Sequence, residues 1–217
     1  MKMKKINTFK MFGLMTCFSF FVLLAPIVFA AMNLFVPFTS QSPFGNWAMP
    51  WQEFCEEASV VMAAHFLSGT PLTSSRADRE MQIVKQYEQI VFKKYSDTSA
   101  EETASILKNL YGFKNITTKR IIGASDIAKE LSQGRIVIVP TAGRLLKNPH
   151  FIVPGPLYHM LVIKGFDDAK HIFITNDPGT RRGNGYVYDQ DVLMNAIHDW
   201  NGGDVLHGEK DVIVVAR

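Results

Sequence analysis

The apolar positions of this chain fall into three regimes. From Met11 to Ala31 they run on with no charge and a single proline, Pro26. Over roughly the next hundred residues they recur mainly at three- and four-residue spacing, the period of a helix with one apolar face. From Ile136 onward they gather into short β-type blocks.

The first regime follows Lys2, Lys4, Lys5 and Lys10, so residues 1–30 have the form of an export leader. Val28-Phe29-Ala30 offers a peptidase site after Ala30; retention as an N-terminal membrane anchor is the other reading, since about 20 apolar residues span a bilayer. Either way residues 31–217 are expected to form one extracytoplasmic domain, with membrane attachment possible only through residues 1–30.

In the second regime, Leu34 to Phe38 reads as a short strand, followed by a loop from Thr39 to Trp51 rich in Ser, Pro, Gly and Trp. A helix starts near Cys55. Ala58, Val61, Met62 and His65 mark its inner face, which puts the thiol at the first turn, facing the body of the fold. Gly69 and Pro71 end it. A polar helix follows from about Ser75 to Lys94, and Ser99-Ala100-Glu101-Glu102 has the form of a capping box opening another helix, stopped by Gly112. A strand near Ile116 and a helix from Ser125 to Gln133 complete this half.

The third regime predicts strands at Ile136–Val139, Met160–Ile163, Ile172–Thr175, Tyr186–Tyr188 and Val212–Val215, with one helix through Val192, Leu193 and Ile197. Helices first and strands afterwards indicate an α+β domain, a helical half packed on an antiparallel sheet. No internal repeat and no second domain are visible.

Composition narrows the function. With 47% hydrophobic and 20% charged residues the chain can build a core, which excludes disorder. Its formal charge of +3 comes from the leader: without the four lysines, 19 basic residues face 20 acidic ones. A near-neutral domain has no basic face for phosphates, so nucleic acid is not an expected partner. Cys17 lies in the leader, which leaves Cys55 as the one thiol of the domain and rules out an internal disulfide. No Cys-x-x-Cys, His-Glu-x-x-His, Walker or dinucleotide glycine pattern occurs, so neither a metal nor another cofactor is expected.

A helix start favours thiolate over thiol, so Cys55 occupies a nucleophile's position, although Glu56 and Glu57 oppose the negative charge. A thiol nucleophile needs an imidazole base, and His159 is the best placed of six histidines, at the edge of an apolar strand; His150 is second. Asp177, in Asn176-Asp177-Pro178-Gly179, can orient that imidazole. A hairpin about Asp167-Asp168 sets residues near 159 opposite 175–177. Trp47 and Trp51 could line a substrate groove beside the thiol or anchor their loop to the core.

Together, Val36-Pro37-Phe38-Thr39-Ser40-Gln41, Asn46-Trp47, Cys55-Glu56-Glu57-Ala58-Ser59, Tyr158 to Gly165 and Asn176 to Gly179 resemble the C39-like peptidase family of papain-like cysteine peptidases. The resemblance implies a papain-like fold and hydrolysis of peptide or amide bonds, with Cys55 as nucleophile, His159 as base, Asp177 as its orienting group and Gln41 as an oxyanion-hole residue. Gln52, three residues before Cys55, competes with Gln41 for that role. Many members have Cys-Gly-Pro where this chain has Cys55-Glu56-Glu57. Two other readings of the same fold are a non-catalytic module that binds peptide or cell-wall material, and a transglutaminase-like acyltransferase.

Overall fold

The computed structural model describes residues 31–217; the leader and its cleavage or anchoring lie outside the described residues. No helix among the described residues is long and apolar enough to cross a membrane.

The strands are β1 (Ala31–Asn33), β2 (Ile116–Arg120), β3 (Ile136–Thr141), β4 (His159–Asp167), β5 (Ile172–Asn176), β6 (Asn184–Asp189) and β7 (Asp211–Val215). They form one antiparallel sheet in the order β2-β7-β3-β4-β5-β6, with β1 added beside β4. The helices are α1 (Cys55–Ser68), α2 (Ser74–Val91), α3 (Ala100–Asn109), α4 (Ala124–Ser132) and α5 (Gln190–Ala196).

The expected α+β fold is present, and the sheet is covered on both faces. One core joins α1, α2 and α3 to Ile136, Ile138, Met160, Val162 and Ile213. The other joins α4 and α5 to Val137, Val139, Leu161, Ile163 and Val212 on the opposite face. This is why β3 reads as an unbroken apolar run rather than an alternating one: all six of its residues are buried. Helix α1 is buried from Cys55 to Phe66, so it too lacks a polar face and serves as the central helix of the first core. Burying side chains such as Met62 and Phe66 contributes about 1.5–3 kcal/mol each. Gly69 ends α1 in the left-handed region. The capping box at Ser99 is formed as the sequence indicates.

Two expectations change. Leu34–Phe38 is not a strand; pairing belongs to β1, just before it, and ends with the Leu34 N–H on the Lys164 carbonyl at 2.8 Å. Pro37 has no N–H to continue a ladder, and the Val36 carbonyl is taken by the Asn176 side chain at 3.1 Å. The β4–β5 hairpin is also offset. Asp167 pairs with Ile172, a bulge falls between Ile163 and Gly165, and Val162 pairs with Asn176. Continued by one residue, that register sets Asp177 across from Leu161. His159 is then its diagonal neighbour on the same face rather than its direct partner.

Candidate active site

His159 opens β4 and Asp177 follows β5, at the same end of the sheet. The Nε2 atom of His159 lies 2.7 Å from Asp177 Oδ1, with both side chains buried. Committing Nε2 to the carboxylate leaves Nδ1 as the ring nitrogen for proton exchange. The ring is flanked by Phe151, edge-to-face at 5.2 Å. Gly179 completes the enclosure, because a Cβ there would stand 2.8 Å from both His159 Cε1 and Phe151 Cε1.

Asp177 is saturated with donors. Oδ1 also accepts the Gly179 N–H at 2.9 Å, and Oδ2 accepts Asn148 Nδ2 at 3.1 Å and the Tyr188 hydroxyl at 2.5 Å. Burial alone would raise its pKa, but the imidazole charge and these hydrogen bonds outweigh it, and the carboxyl is held below its ordinary value. Burial, followed by the Asp177 charge, pushes the Tyr188 phenol upward. Gly183 lets the turn close on itself: its own Cβ would fall on the Asp177 carbonyl oxygen.

Cys55 begins α1 after Phe54, a fully buried residue without a side-chain cap. The sulfur lies against β4, where the Met160 backbone, next to His159, is near enough to pull the thiol's pKa slightly down. The thiol's own hydrogen bond goes to Glu56 Oε2 at 2.9 Å rather than to the imidazole. Burial, followed by the Glu56 charge, pushes the Cys55 pKa well up. In this conformation these effects oppose the helix-start preference for thiolate and favour the thiol.

Three carboxyls lie behind it. Glu56 Oε1 accepts the Thr98 N–H at 3.2 Å, and burial pushes Glu56 up to about 7 even though the Cys55 hydrogen bond pulls it down. Glu57 and Glu88 are fully buried, and among the described residues no donor group reaches any of their four carboxyl oxygens. Each lies close enough to the other carboxyls of the cluster to feel their charge. Burial and the mutual repulsion of this cluster raise both, Glu88 to about 9.

Gln41 is buried and ties the two halves of the site together. Its backbone N–H donates to the Pro178 carbonyl at 2.9 Å, while its amide donates to the carbonyls of Trp51 at 3.0 Å and Gln52 at 2.7 Å. Here that amide braces the turn leading into α1. The Gln52 side chain sits at the surface, 3.5 Å from Glu53 Oε1. Trp51 donates its indole N–H to Asp78 of α2 at 2.6 Å and packs on the first core, so it anchors its loop; Trp47 is half-buried in the same loop. His150 is exposed, its ring edge-on to Tyr186, and His65 is held by Thr70 and Glu80. A surface cluster of His171, Asp189 and Asp191 has atoms close enough to share a cation. It lies at the other end of β5 from Asp177, and Asp189 already caps α5.

Asn148, Tyr188 and Phe151 were given no part in the site by the sequence, and Gly179 entered only as a member of the Asn176-Asp177-Pro178-Gly179 motif. Only the Tyr186/Tyr188 alternation in β6 hinted at an inward phenol; nothing local marks Asn148 as a partner of Asp177.

A thiol at the head of a buried helix, set against an antiparallel sheet that carries a carboxylate-bound imidazole, defines the papain-like class of fold. The model of the Peptidase_C39 like family matches residues 33–202, and the chain belongs to that family. Among solved structures it is similar to a Bacillus anthracis protein named as a candidate C39-like peptidase. The two share 14% identity at a TM-score of 0.52, over 84% of this chain and 95% of that one. A search of curated proteins finds no match.

Proposed function

We propose that this protein is a cysteine peptidase whose Cys55 attacks a peptide or amide carbonyl with His159 as its base. The observation that carries the proposal is the buried 2.7 Å contact between His159 and Asp177 beside the Cys55 helix start. Such a contact fixes the imidazole's orientation and tautomer and stabilises its protonated form.

In the proposed reaction, substrate binding turns the thiol from Glu56 toward His159 Nδ1. The S–H bond breaks as the N–H bond forms, the sulfur adds to the carbonyl carbon, and His159 returns the proton to the departing amine. Water then releases the acyl group, with His159 again the base. The Cys55 backbone N–H, one of the helix donors that no preceding carbonyl in the helix can accept, stabilises the oxyanion. Gln41 adds a second donor by turning one amide hydrogen from the Trp51 carbonyl to the substrate. Residues 1–30 would deliver this activity outside the cytoplasm, and Trp47, half-buried in the loop before α1, would meet substrate.

The test is digestion of a mixed-sequence peptide library by the full-length protein, with products identified by mass spectrometry. Cleavage that disappears in Cys55→Ala and in His159→Ala, with circular dichroism unchanged, supports the proposal. Full cleavage by Cys55→Ala would refute it. Products joined to an added amine, in place of hydrolysed ends, would favour acyl transfer; ligand retention without turnover would favour a binding module.

A further inference from the structure

Glu56 is the group in contact with the nucleophile that the proposed reaction does not employ. It is 2% exposed, and its two oxygens are occupied by the Cys55 thiol at 2.9 Å and the Thr98 N–H at 3.2 Å. Among the described residues, no lysine or arginine bonds to it. The groups that face it are Cys55 and Glu57 on α1, Glu88 on α2, Asp97 before α3, and Tyr158 and His159 at the head of β4. Three other carboxyls and one imidazole therefore surround this carboxyl, and a buried thiol is its nearest donor.

Building on the peptidase reading, we infer that Glu56 is a positioning residue that gates the nucleophile: ionised, it accepts the S–H and keeps the proton on sulfur; protonated, it turns its O–H toward sulfur and favours the thiolate. The geometry allows both states, since the 2.9 Å contact carries a proton in either direction. Thr98 holds the other oxygen, so the carboxyl keeps its place in both. The balance is simple. Glu56 takes a proton from water as pH falls, Cys55 passes its own to His159 Nδ1, and the sulfur is left accepting from Glu56 O–H. Burial that pushes Glu56 up to about 7 sets the switch near neutrality, with the open state on the acid side.

The link continues away from the sulfur. The Thr98 carbonyl accepts the Tyr158 hydroxyl at 2.9 Å, and Tyr158 immediately precedes His159. The carboxyl that gates the thiol is thus tied, through one backbone unit and one phenol, to the start of the strand that carries the base.

The experiment is site-resolved alkylation of the full-length protein with iodoacetamide from pH ~4 to ~9, a range spanning activated and ordinary thiols. Peptide mass spectrometry separates Cys55 from Cys17. The wild-type rate at Cys55 should rise with pH and then fall roughly tenfold across neutrality, about what one charge-assisted hydrogen bond contributes. Glu56→Gln supplies an amide donor at every pH and should remove the falling limb, whereas Glu57→Gln should keep it. Glu56→Asp, with its acid withdrawn by one methylene, should show a shallower limb and serves if the Gln variant does not fold. A falling limb that survives unchanged in folded Glu56→Gln, or in Glu56→Asp where only that variant folds, overturns the gate, as does a wild-type rate that only rises. His159→Ala separates the two levels of argument. A thiol with an ordinary profile, indifferent to His159, refutes the peptidase reading and the gate together; a His159-dependent thiol indifferent to Glu56 refutes the gate alone.

Discussion

Removing the Asp177 carboxylate should cost the fold as well as the chemistry. The side chain accepts four hydrogen bonds in a fully buried position, from His159, Gly179, Asn148 and Tyr188. Asp177→Ala leaves all four donors without an acceptor, and each buried unsatisfied group costs roughly 1–3 kcal/mol. Water entering the vacated space and rotation of the Tyr188 hydroxyl offset part of this, so we expect a loss of about 4 kcal/mol. That is a large share of the ~5–15 kcal/mol that holds a typical domain together. Asp177→Asn keeps the shape and one acceptor oxygen and should lose about 1–2 kcal/mol, since only the donors facing its NH2 group are orphaned. Urea titration followed by circular dichroism reads both: with a slope near ~2 kcal/mol/M, the Ala midpoint should fall by about 2 M and the Asn midpoint by less than half that. An Ala variant within about 0.3 M of wild type would show that these donors find other acceptors, and the view of Asp177 as a keystone would fall.

Three further predictions follow from other parts of the structure. Gly179→Ala pushes a methyl to within 2.8 Å of the imidazole and Phe151; kcat/KM for the peptide substrate found in the digestion assay should fall at least about tenfold, about 1.4 kcal/mol in barrier, with a much smaller change in urea midpoint. Glu57 and Glu88 hold protons when folded that free carboxyls give up above about 4.5, with Glu88 raised to about 9. The folded state therefore binds more protons, so stability is fully present below pH ~4.5 and declines as pH rises toward 9; thermal melts from pH 5 to 9 should show this fall, and Glu88→Gln should flatten it. Trp51→Phe loses the 2.6 Å bond to Asp78 and should destabilise by about 1 kcal/mol in the same urea titration.

The sequence was most informative where local periodicity and burial agree. The central helix could be placed because Cys55, Ala58, Val61 and Met62 recur at its period, and Ser99 with Glu102 marked the start of α3. The α+β class followed from the switch to β-type blocks after Ile136. What stayed hidden depends on contacts across the chain. The cover of α4 and α5 on the second face is written in two short helices whose partners lie elsewhere in sequence. The bulge between Ile163 and Gly165 shifts the hairpin register, so counting outward from the turn misses the diagonal approach of His159 to Asp177. The inward turn of Glu56 toward the thiol is likewise not deducible from composition, since acidic residues in a first helical turn are ordinary surface features.

The long-range ties around Asn176 to Pro178 have a kinetic meaning. Asn176 reaches back 140 residues to the Val36 carbonyl, and the Gln41 N–H closes on the Pro178 carbonyl. Loops of such length close late, after local helices and hairpins have formed. The helix bearing the sulfur is also synthesised well before the strands that bring the base. A nascent or partly folded chain therefore holds Cys55 and His159 on unconnected pieces, and the chemistry proposed for them would need the last closure. On the peptidase reading, the cell that makes the protein would be protected from it until the fold is finished.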